Sequence, residues 1–568
     1  MLCCARVQRL VSKRRQGREA ASRAGVIASR GRWLGVGVLA CAAPLASAQT
    51  ATWVGSAPNG SGNWGVAANW SPAVVPSGPT FDVFSQVAPL GVPYTITLNA
   101  PFSIRDFTLT SSQGTLALTG NRLTTSRAFL LDEATITAAG GGVTNNGGTE
   151  LRGGSVLMGV DLRANSGVTI LTDDDPVDIC DTDIGHRGTG SWSGLQDLQF
   201  NMGSTLTVES GSTLSIGSTG NATWDGLAGQ PLITNNGTIT KVANAGTTTF
   251  SGPSINNLGS LIVETNSTAR LVTPATLSNF VAGTLINGSF ELRGVLQFDG
   301  ASITTLKSDV TLDGAGAVIR NQLNQDAIRP LALVDTGSTL TIRNKTVTVN
   351  PPLVLRGTLD LEAGTLVENT SPFTIESTGQ LVGTGTVQAA TILVSGGISP
   401  GESPGVLQFT NNVQFRAGSR LRIEIAGPVA GQQYDVLFVQ NTLGFQQGST
   451  AGRVDVLILP PFEPQIGQVF DIVRFADRVG QFAQFTGLNF SPDREFVVEY
   501  LPDRVRLIVV GSSCQRVDLN NDGQIDFFDF LEFSQAFAGN LPPADFNNDG
   551  QVDFFDYLDF ISEFNRCS

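Results

Sequence analysis

The sequence predicts a mainly β chain: a parallel β-solenoid (β-helix), then a small antiparallel β unit, then a small α domain. Three observations carry this. From about residue 100 to 395 one phrase keeps returning, a Gly-containing turn followed by a short apolar–polar alternation. From about residue 399 to 510 the alternating runs are longer. At the end, "DLNNDGQIDFFDFLEF" (518–533) recurs as "DFNNDGQVDFFDYLDF" (545–560). The implied segments are 1–48, 49–398, 399–510 and 511–568.

The first segment reads as a targeting sequence. Residues 1–48 hold nine Lys and Arg against the single acid Glu19, then the apolar run "WLGVGVLACAAPLA" and the small-residue site Ala46-Ser47-Ala48. A basic front, a short apolar run and a small-residue site make a secretory signal, with cleavage expected after Ala48. The apolar run is short for a bilayer span. Cys41 in "VLAC" offers an alternative lipid-attachment site. No second hydrophobic segment follows, so the mature chain is expected to be secreted or held at the cell surface without a transmembrane segment. Removing this segment leaves 26 Lys+Arg against 48 Asp+Glu, a net charge near −22. Such a surface repels a phosphate backbone, which excludes nucleic acid as a partner and favours divalent cations. Three cysteines remain, Cys180, Cys514 and Cys567, in a compartment where disulfides form. Cys514 and Cys567 bracket the two acidic stretches as a clasp; Cys180 reads as a buried small apolar residue.

The solenoid follows from the phrase itself. "GTLAL" at 114, "GSTLTV" at 203, "NNGTITK" at 235, "NNLGSLIVE" at 256 and "GTLDLEAGTLVE" at 357 share the pattern. Alternation of period two buries one face of a strand. Gly and Asn supply the positive φ of tight turns. Starts at 237, 259 and 283 are almost evenly spaced, and the spacing is typical of one rung. A single rung cannot bury its apolar face, but a stack makes a continuous core. A string of antiparallel sandwiches is the alternative; the shortness of the phrases and the lack of hairpin pairs favour the solenoid.

Solenoid ends need covers against edge-to-edge association. Residues 51–84, with Trp53, Trp64 and Trp70, provide one; the tryptophans plug the open core, or else stack on sugar rings. "ISPGESPGVLQF" at 398 marks the final rung, and "SRLRIEIAG", "YDVLFV", "GRVDVLIL", "QVFDIVRF", "EFVVEY" and "RVRLIVV" then read as a small antiparallel β unit. The opening segment and the final-rung signature resemble those of secreted bacterial β-helix proteins related to autotransporter passengers. That resemblance implies a surface-displayed solenoid and specifies no activity.

The acidic stretches carry the clearest chemistry. Asp518, Asn520, Asp522, Asp526 and Asp529 fall at loop positions 1, 3, 5, 9 and 12, with Gly523 at position 6. Asp545, Asn547, Asp549, Asp553, Asp556 and Gly550 repeat this at a constant offset (545 against 518). This is a calcium-loop arrangement: a hard cation takes six to eight oxygens, and alternate residues of a coiled loop aim inward. Gln524 and Gln551 would give backbone carbonyls, Asp526 and Asp553 would act through water, and Asp529 and Asp556 would be bidentate. Two Ca²⁺ ions are expected, with Ile525 and Val552 poised to pair. Position 12 is Asp, and there is no room for an entering helix, so the unit is loop then helix, twice. Over residues 514–568 this resembles the dockerin module (type I), and the flanking Cys514 and Cys567 resemble its cysteine-bracketed GC-type bacterial subgroup. The resemblance implies docking to a cohesin-like or other envelope protein. It departs at loop positions 10 and 11, which hold Phe527, Phe528, Phe554 and Phe555 in place of a small polar pair, and at Ser534-Gln535 and Ile561-Ser562, which lack the usual basic residue. The four Phe residues either pack a small core or form an aromatic docking face. The module carries eleven acids against Arg516 and Arg566, a density of like charge that opposes compaction without cations.

The expected function is thus a non-catalytic structural or binding solenoid attached through a calcium-dependent interaction module. The competing reading is a polysaccharide hydrolase or lyase carrying the same module. It would use His186, the one histidine, with Asp173, Asp174, Asp175, Asp178, Asp181 and Asp183 before it, since two carboxylates flanking a glycosidic bond serve as acid and base. The bland reading is a solvated acidic loop on the solenoid flank.

Overall fold

The computed structural model describes residues 48–85, 92–370, 372–401, 404–446, 450–491, 493–511, 516–547 and 550–567. Residues 1–47, with Cys41, and likewise Cys514 and Asp549, lie outside the described residues. The chain is mainly β and parallel, with two helices at its end. It divides into two compact units: one runs to Ser302 and includes Gly316–Ala327, the other holds Ile303–Ala315 and the chain from Ile328 on.

In the first unit most rungs have three strands, one per face, while Arg122–Leu131 runs unbroken over two faces. One rung is Asp183–His186, Thr189–Gly194 and Leu198–Asn201. On the first face Asp161 pairs with Asp183 and Asp183 with Thr205, the same step each time. On the second face Thr189 pairs with Thr213, and on the third Val177 pairs with Leu198. The third face runs as a 12-stranded parallel sheet from Gly62–Asn63 to Val318–Arg320. The alternation places Ile184, Trp192, Leu198 and Phe200 inside, all buried. Each such side chain contributes about 1.5–3 kcal/mol once a neighbouring rung covers it. The step from 237 to 259 holds, as Thr238 pairs with Ser260. The next does not. Ser260 pairs with Ser289, well beyond the start at 283, because Phe280–Val281 and Thr284–Leu285 form an inserted antiparallel hairpin. A spacing count cannot distinguish a rung turn from a hairpin turn when both contain Gly.

The tryptophans plug the N-terminal end, as the first of the two readings expected. Trp53, Trp64 and Trp70 are buried, and Trp70 lies edge-on to both others, at 4.9 and 4.8 Å. Each indole N–H donates to a backbone carbonyl, that of Gly60, Pro76 and Trp64 respectively. Buried in this way, they are closed to sugar rings.

In the second unit the parallel ladders continue further than the sequence reading placed them. Arg420–Ile425 pairs in parallel with Thr450–Ile458, which pairs in parallel with Gln481–Thr486. Val436–Phe445 pairs in parallel with both Val406–Phe409 and Asn412–Phe415, so one long strand turns a corner and serves two faces. The antiparallel unit is present but small: Arg494–Leu501 pairs with Arg504–Gly511, which also pairs with Val469–Val479. Period-two alternation reports a buried face and says nothing of strand direction, so corner-spanning strands read as a separate antiparallel unit. Asp471 fixes this hairpin, accepting from Arg504 and Arg506 at 2.7 Å each. Against its own burial, those two guanidinium groups hold its carboxyl below the usual range. The final-rung signature ties down a turn: Gly401 takes φ +87°, and buried Asp435 accepts from the N–H of Gly405 and of Glu424, both at 2.8 Å. Burial pushes Asp435 up to about 7 despite those two bonds.

Candidate metal centre

The two acidic stretches fold as matched loops, each followed by a helix, Phe527–Ala538 and Phe554–Cys567. Gly523 and Gly550 take φ of +82° and +87°, the left-handed conformation that makes the sharp bend at position 6. The N–H of each glycine donates to position 1, Asp518 or Asp545, at 3.0 Å. The carboxylate at position 12 is buried in both loops. Asp529 accepts from Asn520 N at 3.3 Å and Asp526 N at 2.9 Å; Asp556 accepts from Asn547 N at 3.0 Å and Asp553 N at 2.8 Å. Asp526 and Asp553 each accept from the N–H two positions on, at 2.8 Å, so position 9 caps its helix. In the first helix Asp526 and Asp529 complete a capping box.

Burial pushes the Asp556 carboxyl up, but the N–H groups of Asp553, Asn547 and Phe546 outweigh it and hold the group below the usual range. The candidate donors that the first loop offers are all oxygen: Asp518, Asp522, Asp529, the Asn520 amide and the Gln524 carbonyl. Hard oxygens without thiolate or imidazole suit Ca²⁺ and not Zn²⁺. Among the described residues no three acidic, histidine or cysteine side chains are gathered into a metal-holding group. The oxygens of the first loop are instead spread over its own N–H groups.

The helices pack about a small aromatic core of Val517, Phe533, Ala544, Phe546 and Phe560. Phe533 and Phe560 are equivalent positions of the two repeats. They stack with ring centroids 3.8 Å apart and planes parallel. Phe530 meets Phe564 at 6.2 Å, and the equivalent pair, Tyr557 and Phe537, meets at 6.1 Å. Reciprocal contacts of this kind define a pseudo-twofold axis. Ile525 and Val552 pack against the same core without forming strands. Phe527, Phe528, Phe554 and Phe555 are 67, 61, 64 and 65% exposed, which removes them from the core. Leu531 and Leu558, a helical turn on, are exposed as well. The sequence reading missed these two leucines; their i+4 spacing from Phe527 and Phe554 was the signal. Cys567 ends the second helix and packs against the core.

The competing site does not assemble around its histidine. His186 is fully buried in the strand Asp183–His186; its Nδ1 accepts from Val168 N at 3.2 Å, and its Nε2 donates to Thr213 O at 2.9 Å. Burial lowers its pKa, against the opposing hydrogen bond to Thr213 O. Its place in the rung explains it. His186 stands in the ladder position held by Asn145, Asn235 and Asn257 in other rungs. Asn235 and Asn257 donate to the equivalent carbonyls, Ser260 O at 2.8 Å and Ser289 O at 2.9 Å. The corner motifs "HRG", "NNG" and "NLG" fall into one register once the rungs are known. Asp178 and Cys180 are buried in the adjoining strand, and Asp173, Asp174, Asp181 and Asp183 are exposed. One inward residue was not foreseen: Lys241 in "NNGTITK" is buried, donating to Ser218 O at 2.7 Å and Ala245 O at 2.8 Å.

No protein-family model matches the chain, and no curated protein matches it. No helix among the described residues is long and apolar enough to cross a membrane.

Proposed function

We propose that this is a secreted or cell-surface, non-catalytic β-solenoid, attached or assembled through a calcium-dependent, dockerin-like terminal module. The observation that carries the reading is the duplication: two loops in matched register repeat the same carboxylate–backbone contacts about a pseudo-twofold axis. Asp518, Asn520, Asp522, Gln524, Asp526 and Asp529 would hold one ion, and Asp545, Asn547, Asp549, Gln551, Asp553 and Asp556 the other. Bound calcium would offset the acidic charge and supply folding free energy. A Cys514–Cys567 disulfide would close the module and add about 4 kcal/mol by the chain-entropy estimate.

The four exposed Phe residues support a docking face presented twice, once per repeat, to a cohesin-like or other envelope protein. Aromatic anchors at interface centres commonly contribute about 2 kcal/mol or more each. Equilibrium dialysis of the full chain should find two calcium ions, and a chain truncated after Gly511 should bind neither. A full chain that binds no calcium, or a truncated chain that keeps both ions, would end the proposal. Replacing Phe527 and Phe528 by Ser should leave folding and docking nearly intact, because the second copy remains. Replacing all four should abolish docking with calcium binding unchanged.

A further inference from the structure

A cleft of about 610 Å³ lies on the outer surface of the first face, across the strands Asp161–Ala164, Asp183–His186 and Thr205–Val208. Its floor is Gly185. In the outward ladder Gly185 stands between Arg163 and Thr207, and Thr207 pairs with Thr234. Neither backbone nor packing asks for glycine here. Its φ is not positive, and a Cβ would meet only Leu162 O, at 3.9 Å. Glycine in a strand interior weakens the strand, and where no bulge or bend needs it, close approach of another group is the remaining reason.

The walls point to the class of ligand. Arg187 and Glu209 border the cleft, and their side chains make no hydrogen bond or ion pair among the described residues. Asp183 accepts from the Thr205 hydroxyl at 2.6 Å and keeps further lone pairs for a ligand. Arg163 reaches Asp161 at 3.1 Å. Guanidinium donors, carboxylate acceptors and threonine hydroxyls are interleaved without a dominant sign of charge. That mixture suits a ligand that donates and accepts at many points and carries no charge. The volume falls in the range of ligand-sized clefts.

We infer that the cleft floored by Gly185 binds a neutral, hydroxyl-rich glycan segment lying across the rungs. The site is separate from the terminal module and needs no calcium. The test is affinity electrophoresis of the full chain through gels containing xylan, glucomannan, dextran or polygalacturonate, each with and without chelator. At least one neutral polysaccharide should slow the wild-type chain, chelator or not. Gly185→Thr restores the ladder residue and fills the floor. It should weaken retardation at least tenfold with a melting temperature unchanged or raised. Arg187→Ala/Glu209→Ala leaves the strand backbone untouched and should weaken it similarly, which keeps the test decisive if Gly185→Thr misfolds. Retardation by no neutral polysaccharide, by polygalacturonate alone, only with calcium present, or equally for wild type and both variants would overturn the inference.

Discussion

The solenoid and the terminal module hold themselves together in opposite ways. A solenoid rung such as 183–204 contributes Ile184, Trp192, Leu198 and Phe200 to a core continuous with the rungs on either side. Its ladder bonds repeat at every step, so damage at one rung is shared by neighbours. Among its described residues the module has five buried core residues and one central aromatic stack, and it carries a dense negative charge. It is not a stack of like rungs, so it has no repeat-to-repeat sharing of a loss. Repetition gives the first region stability in small equal parts; the second concentrates it in a few residues and, on our proposal, in two ions.

The largest expected effect separates the two regions outright. Chelation of the full chain should melt the terminal helices and leave the β signal intact, as read by circular dichroism at the two characteristic wavelengths. Loss of the β transition together with the helices would break the comparison. Acid should act in the same direction. The Asp556 carboxyl is held below its ordinary range, so its contribution is present above the ordinary carboxylate pKa and is lost as pH falls through the depressed value.

Within the module, Phe533→Ala should cost about 3–5 kcal/mol, the usual range for a buried Phe, enough to unfold it. Phe527→Ser, at a 67% exposed position, should stay within about 0.5 kcal/mol. Chemical denaturation of the two variants, followed on the helices, gives the contrast directly.

In the solenoid the counterpart is Lys241. Burial holds its ammonium at about 8 instead of 10.5. Between those values the unfolded chain binds the proton more tightly, so solenoid stability should rise with pH across that window and be flat below it. The depression corresponds to at most roughly 3 kcal/mol. Lys241→Met should raise the melting temperature at pH 7, less than that ceiling because Ser218 O and Ala245 O lose a donor. It should also remove the rise between pH 8 and 10.5; a variant that keeps the rise would assign it elsewhere.

The smallest effect tests repetition itself. His186→Asn restores the residue that other rungs use at that corner and should change stability by under about 1 kcal/mol. His186→Ala leaves Val168 N and Thr213 O without their partner and should cost about 1–3 kcal/mol. Equal losses in the two variants, measured by thermal melts, would show that His186 is more than a corner residue.

The sequence alone determined the features that recur. A Gly turn with period-two alternation specifies a strand with one buried side, and near-regular repetition of that unit specifies stacking, because no rung can bury its own face. The duplicated acidic spacing, with Gly523 and Gly550 at matched bends, likewise specifies two coiled acidic loops without any knowledge of the rest. Tertiary structure decided whatever depends on the neighbour across the stack. It set the direction of the strands from 420 to 486, since alternation is blind to direction. It turned His186 from a candidate catalyst into a corner residue, through partners 18 and 27 positions away. It sent Lys241 inward and Phe527, Phe528, Phe554 and Phe555 outward, because an apolar or charged letter does not say which side of a helix or strand the core lies on. And it opened a cleft above Gly185, whose missing side chain matters only because the rungs on either side supply the walls.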